Sequence, residues 1–206
     1  WGLSGWRDGD HFVTTADQAG STALRAPMQE MGYNFKYLVN FKDSAPRYDE
    51  AVSYLRAASA TAMMRHAFIG MSGYRDMRLF GTLYDGNLLK KKIGAEIEHF
   101  DLLEIDDLIR KIPQDEIDAL AEKIRKNWNF VRAPQEGTVE NSVRLSLAFQ
   151  QKIKERGYDA FSFCDVDGVK KLLKFAPAGA LTLLHDEMDI PSVPENDSYG
   201  AVTALI

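Results

Sequence analysis

The sequence predicts a three-layer α/β fold, a mostly parallel sheet with helices on both faces. Two patterns predict it. Short β-rich apolar runs alternate with longer amphipathic ones, and helical stretches of about 10 to 20 residues separate successive strands. Composition agrees: 45% hydrophobic and 27% charged residues over 206 positions is the balance of a globular domain able to bury a core. One α/β domain over 1–206 is expected, with an opening segment and first helix over 1–34 and alternating strands and helices over 35–206.

Each element has its own signal. Residues 16–30 look helical with an interruption at Pro27, and 35–41 read as a strand. Over 48–65, Ala51, Tyr54, Leu55, Ala58 and Ala62 share one helical face. A short β-rich run, 66–71, closes at Ser72-Gly73. A helix is expected over 79–92, ending at Gly94, and 96–100 alternates as a half-exposed strand does. Ile117, Leu120, Ala121, Ile124 and Trp128 form an apolar helical stripe. Thr138 is placed as the N-cap of a helix running to Gly157. Residues 159–164 then read as a strand, bounded by a turn at 165–168. Pro177 suits the first turn of a helix over 177–187. After an extended 190–194, a last helix begins at Ser198 and reaches toward Ile206. This is the pattern of a Rossmann-like or flavodoxin-like sheet, where ligands bind at the carboxyl ends of strands. Segments 72–78, 164–168 and 195–200 therefore matter most.

Several function classes are disfavoured. A net charge of −5 lacks the basic footprint of a nucleic-acid binder. No apolar run approaches the roughly 18 residues of a membrane span. The lone Cys164 excludes an internal disulfide and a cysteine-rich zinc site, and fits a reducing, cytoplasmic setting. The chain opens Trp1-Gly2-Leu3-Ser4-Gly5-Trp6 without an initiator Met or signal pattern, and closes on apolar Ala204-Leu205-Ile206. Domains usually finish at exposed polar segments, so a longer polypeptide is expected.

Candidate chemistry narrows in the same way. Gly70-Met71-Ser72-Gly73 is too short for a dinucleotide loop and lacks the lysine of a phosphate loop; a tight turn needing glycine is the simpler reading. His11, His66, His99 and His185 are scattered, and His185-Asp186-Glu187 reads as a solvated helix end. Cys164 has no neighbouring histidine and reads as a buried structural thiol. Asp165 and Asp167 lie in a strand-end loop where they could face a ligand. Asp197 or Ser198 suits an N-cap, which leaves Glu195 unexplained by local structure. A carboxylate at that strand's carboxyl end is where such sheets build sites.

Glu195-Asn-Asp-Ser-Tyr-Gly-Ala-Val resembles the E-N-D-S segment of the L-fucose isomerase family, in the middle of its three domains. Trp1-Gly-Leu-Ser-Gly-Trp-Arg-Asp-Gly resembles the W-G-x-x-G segment that leads into that domain. Ala67-Phe-Ile-Gly-Met-Ser-Gly, Leu83-Tyr-Asp-Gly and Ile97-Glu-His-Phe-Asp-Leu are similar to the family's strand, turn, helix and next strand. Together these motifs span most of the chain in the right order. Where the family carries a glutamine-rich loop, this chain has Phe163-Cys-Asp-Val-Asp-Gly168.

The resemblance implies a metal-dependent aldose–ketose isomerase acting on L-fucose or a related sugar through an ene-diol. Glu195 matches a glutamate that serves as both manganese ligand and proton-transfer carboxylate, with an aspartate and a histidine supplied by the C-terminal domain. Mn²⁺ or another divalent cation is the implied cofactor. The monosaccharide, the remaining domains of the same polypeptide and like subunits of a hexamer are the implied partners. Asp165, Asp167 and Asn196 are the candidate substrate-binding residues. The alternatives are a free-standing, non-catalytic sugar-binding or regulatory α/β domain and an L-arabinose-type isomerase.

Overall fold

Asp8-Gly9-Asp10 turns the chain back on itself near its start. Strands β1 (Gly5–Asp8) and β2 (His11–Thr14) pair antiparallel, with Trp6 opposite Val13. Gly9 sits at φ 59°, the positive value that tight hairpin turns require. The sequence reading placed no strand here, although the Asp-Gly signal was present. The computed structural model describes residues 5–14, 16–40 and 44–206, with the side chains of 16–18 outside that description. Trp1 to Ser4 of the W-G-x-x-G segment therefore lie outside the described residues, as does Phe41.

Two compact units divide the chain, Trp1–Ala60 and Thr61–Ile206. In the first, α1 (Ala16–Ala23) and α2 (Arg25–Glu30) break at Leu24 rather than at Pro27. Pro27 occupies the first turn of α2, where its missing N–H would have had no helical partner anyway. The strand expected over 35–41 does not form: residues 35–40 pair with no strand among the described residues. Their neighbourhood is tied instead to helix α3 (Tyr48–Met64), through Tyr54 Oη donating to the Asn34 carbonyl at 2.8 Å and the Lys36–Glu50 ion pair at 3.1 Å. α3 itself matches expectation and carries the chain into the second unit.

That unit holds the sheet. In order it contains β3 (Phe68–Ser72), α4 (Gly86–Lys92), β4 (Glu96–Phe100), α5 (Leu102–Lys111), α6 (Gln114–Asn127), α7 (Thr138–Arg156), β5 (Ala160–Phe163), α8 (Ala178–Met188), β6 (Ser192–Val193) and α9 (Ser198–Thr203). The four strands are parallel in the order β4-β3-β5-β6, so the α/β layering with helices on both faces is as the sequence predicted.

Side-chain alternation along the strands builds two separate cores. Phe161 and Phe163 point to one face and pack with Ile105 of α5, Leu145 and Phe149 of α7 and Leu184 of α8. Ile69, Met71 and Ala160 point to the other, against Met64, Leu89 of α4 and Ala201 and Val202 of α9. The stripe of Ile117, Ala121 and Ile124 lays α6 over α7 and α8, through Val143 and Leu183, as a further helical layer.

Four boundaries differ from the sequence reading, each for a local reason. The helix expected over 79–92 begins only at Gly86, because Asp85 caps it by accepting from Leu88 N at 2.9 Å. A 3-10 turn, Asp76–Arg78, occupies part of the preceding loop. Thr138 is the first residue of α7, and the cap position falls to Gly137 in a left-handed conformation. The turn expected at 165–168 is instead the start of a wide π-type helix, Asp165–Leu173. The helical residues of α9 end at Thr203.

On the α7 side, Glu98 of β4 accepts from both Arg156 and Tyr158, which draws its carboxyl below the usual range and pushes the Arg156 guanidinium up. The Tyr158 ring lies against Gly70, where an added Cβ would overlap its ring carbons. Gly70→Ala should therefore destabilise the fold by about 1–3 kcal/mol, the range for overpacking a filled core. Urea denaturation of the variant checks this, and an unchanged midpoint would show that the Tyr158 ring can retreat.

Candidate functional site

Strand order fixes where a site can stand. The connection after β3 leads through α4 to β4 on one side, while that after β5 leads through α8 to β6 on the other. The loops after β3 and β5 thus part company at the carboxyl edge, leaving a crevice at the switch point of the sheet. All three segments singled out from the sequence meet along this edge.

They are laced together by side chains. Asp76, fully buried on the loop after β3, accepts from Val166 N and Asp167 N beyond β5, both at 2.8 Å. Asp167 answers by accepting from Met77 N at 2.8 Å, and its other oxygen meets Lys171. Burial works to raise the Asp76 pKa, but the Asp167 and Val166 N–H groups, together with the neighbouring Asp165 and Cys164 side chains, outweigh it and hold the carboxyl below the usual range. Asp165 joins β5 to β6: one oxygen accepts from Glu195 N at 3.0 Å and the other pairs with Lys170 at 3.0 Å. Asn196 completes the lacing. Its backbone N–H donates to Phe163 O at 3.1 Å, and its amide donates to Ser72 O at 3.0 Å and to Tyr74 O.

This lacing holds Glu195 and Asn196 in left-handed backbone, at φ 66° and 50°. Such values cost a non-glycine residue roughly 1 kcal/mol or more and persist only where neighbours enforce them. Asp165 and Asn196 are those neighbours. Asp197 then caps α9 by accepting from Gly200 N at 2.9 Å, as expected, and Ser198 Oγ donates to Thr82 O at 2.7 Å. The half-buried Glu195 carboxylate accepts no hydrogen bond and enters no ion pair among the described residues.

Beside the lacing lies an open cleft of about 420 Å³, lined by the loops after β3, β4 and β5. Tyr74, His99, Phe100, Leu102, Asp167 and Leu172 contribute side chains to its wall. Cys164 also lines it and is only partly buried, so the expectation of a buried thiol is corrected. Burial and the nearby Asp76 charge push that thiol up to about 12, which keeps it protonated and unreactive near neutrality. Gly73 stands at φ 85° with the Cys164 side chain 3.0 Å from any added Cβ, so the turn needs glycine as expected.

Of the residues singled out beforehand, Glu195, Asn196 and Asp165 come together through direct bonds, and Asp167 joins through Asp76. Asp165, Asp167 and Asn196 spend polar atoms on backbone groups of neighbouring loops, and only Asp167 lines the cleft. Glu195 does not line it. His185 stays exposed, while Glu187 pairs with Lys123 at 2.6 Å. Tyr74 and Asp76 fall inside segment 72–78 without being singled out themselves, and His99 reads from the sequence only as one of four scattered histidines: nothing in Tyr-Arg-Asp or Glu-His-Phe distinguishes these residues from ordinary surface positions. The chain matches no protein-family model and no curated protein.

Two outcomes follow from this geometry. Because its folded pKa is depressed, Asp76 contributes stability that is complete above the ordinary aspartate value of about 3.9 and fades as pH falls through the folded value. Asp76→Asn should cost about 1–3 kcal/mol at pH 7 and flatten the loss of stability below about pH 4, read from thermal melts across pH. Separately, Glu195→Gly should be more stable than Glu195→Ala by about 1 kcal/mol in urea, since glycine tolerates the left-handed backbone. Equal midpoints would mean that the loop relaxes.

Proposed function

We propose that this chain is the middle domain of a metal-dependent aldose–ketose isomerase acting on L-fucose or a related sugar, and that Glu195 is its catalytic carboxylate. One observation carries the reading. Among the carboxylates at the sheet's carboxyl edge, Asp76, Asp165, Asp167 and Asp197 bond to backbone N–H groups, whereas Glu195 is clamped by its backbone and its carboxylate has no partner among the described residues. A strained residue with an unspent charge suits catalysis better than architecture. Its place in an E-N-D-S segment supports the same choice.

A carboxylate oxygen is the hard donor that Mn²⁺ takes. No three His, Cys, Asp or Glu residues stand together as a metal site among the described residues, so in this reading the other ligands come from outside this chain. A divalent cation, when bound, supplies Lewis acidity to the sugar oxygens. Glu195 is one of two carboxylates flanking the substrate that exchange the roles of base and acid, and the second comes from outside this chain. One takes the proton from C2 as a proton is returned to C1, while a hydroxyl proton passes from O2 to O1. Asp165 and Asn196 are positioning residues that fix the direction of the Glu195 backbone. The same reading makes the protein cytoplasmic and a homo-oligomer. No helix among the described residues is long and apolar enough to cross a membrane.

The cleft favours a second reading, a sugar-binding or regulatory domain without catalysis, since its wall omits Glu195. One assay separates the two. In the full polypeptide with Mn²⁺, Glu195→Gln should lower kcat for ketose formation about a hundredfold or more while leaving thermal stability unchanged. Equal turnover removes Glu195 from the mechanism. Absence of turnover in the wild type across neutral aldoses supports the binding domain.

A further inference from the structure

A smaller recess adjoins the open cleft, and Tyr74 and His99 line both. It measures about 30 Å³, roughly the liquid volume of one water molecule, and Arg75, Tyr84 and Asn196 form part of its wall. Arg75 stands apart from the other basic residues. Only three described Lys or Arg residues are buried or half-buried. Lys152 pairs with Glu104 at 2.8 Å and Arg144 donates to Gln114 at 3.1 Å, whereas Arg75 has no acceptor and no carboxylate partner among the described residues. A charge withdrawn from water without a partner is costly, and folded chains ordinarily pair it. The nearby cleft carboxylates are committed elsewhere. Asp101 accepts from Leu103 N at 2.9 Å, and Asp167 accepts from Met77 N and pairs with Lys171.

Asn196 supplies a second, independent signal. The residue is 3% exposed, and its Nδ2 donates to the carbonyls of Ser72 and Tyr74. Carbonyls only accept, so the amide cannot be turned over, and its Oδ1 is left buried without a donor among the described residues. Two hydroxyls of the same wall have no proton to offer it. Thr82 Oγ1 donates to Leu79 O at 3.1 Å and Ser198 Oγ to Thr82 O at 2.7 Å. The recess thus presents a cation in need of an anion and an acceptor in need of a donor. A carboxylate matches the planar guanidinium fork. A tetrahedral phosphate is too large for a space of one water, which also requires the donor to stand next to the carboxylate. The adjoining cleft is walled by Phe100, Leu102 and Leu172 beside the 64% exposed Tyr74, a surface for an apolar group.

We infer that recess and cleft together bind a 2-hydroxy carboxylic acid with an apolar tail. The carboxylate meets Arg75, the hydroxyl donates to Asn196 Oδ1, and the tail lies on Tyr74. The Tyr84 hydroxyl, which bonds to no other described residue, adds a donor for the carboxylate. Glu195 lines neither space, so the site is separate from the catalytic carboxylate proposed above.

The test uses the 206-residue protein, isotope-labelled and titrated separately with phenyllactate, phenylpropionate, phenyllactamide and inorganic phosphate. Saturable shifts at the Arg75 and Asn196 side chains are expected with phenyllactate. Phenylpropionate, which lacks the hydroxyl, should bind about five- to tenfold more weakly, and phenyllactamide and phosphate at least about tenfold more weakly. Arg75→Gln should weaken phenyllactate at least about tenfold and leave phenyllactamide unchanged. Without ligand the same variant should melt where wild type does, because Arg75 holds no described residue in place. Glu195→Gln should bind phenyllactate as wild type does, so its turnover tests the catalytic reading alone. The inference is overturned by no saturable shift at these side chains, by tighter binding of phosphate or phenylpropionate, or by full affinity in Arg75→Gln. A lowered melting temperature in Arg75→Gln overturns it too, since the arginine would then be structural.

Discussion

The carboxyl edge of the sheet depends on one buried carboxylate. Asp76 accepts two backbone N–H groups from the far side of the crevice, where no strand pairing can hold the loops together. Parallel strands diverge at a switch point because their connections leave on opposite faces, so the chain there must find bonds other than ladder bonds. Asp76 supplies them at the β3–β5 gap, and Asp165 and Asn196 do the same between β5, β6 and β3. An anion serves this task well, since charged acceptors make stronger bonds to N–H donors than neutral ones. Its burial is offset by the donors it collects.

The layered fold was legible because it rests on repeating patterns. Strand-period alternation in β3, β4 and β5 and the stripe of α6 each bury a face, and burial rewards the same residues the pattern marks. The failures occur where a single contact overrides propensity. Residues 35–40 have the composition of a strand but find no sheet edge, only α3. The helix after β3 starts late because Asp85 caps it, a choice that one aspartate among several could have made. The hairpin was overlooked in a segment valued for another motif.

The site was legible only in part, and the difference is physical. Glu195 stood out because capping explains its neighbours and leaves it over. Asp165, Asp167 and Asn196 were recognised as belonging to the right place, and the structure gives them bonds to backbone groups of neighbouring loops. Asp76 and His99 acquire their importance from partners distant in sequence, which no local pattern encodes. The strained backbone at Glu195 likewise follows from restraints imposed by Asp165 and the Asn196 amide. Restraint is thus divided unevenly among adjacent residues: the aspartates and the asparagine hold, and the glutamate is held.

Strand order has a temporal consequence. β3 can find β4 soon, since the two are consecutive strands, but β5 must reach β3 across the whole of α5, α6 and α7. The bond from Val166 to Asp76 spans 90 positions and that from Asn196 to Ser72 spans 124. Contacts of such separation form late and slowly, after local helices are already in place. The carboxyl edge is therefore among the last parts of the sheet to assemble, because its lacing waits on β5 finding β3.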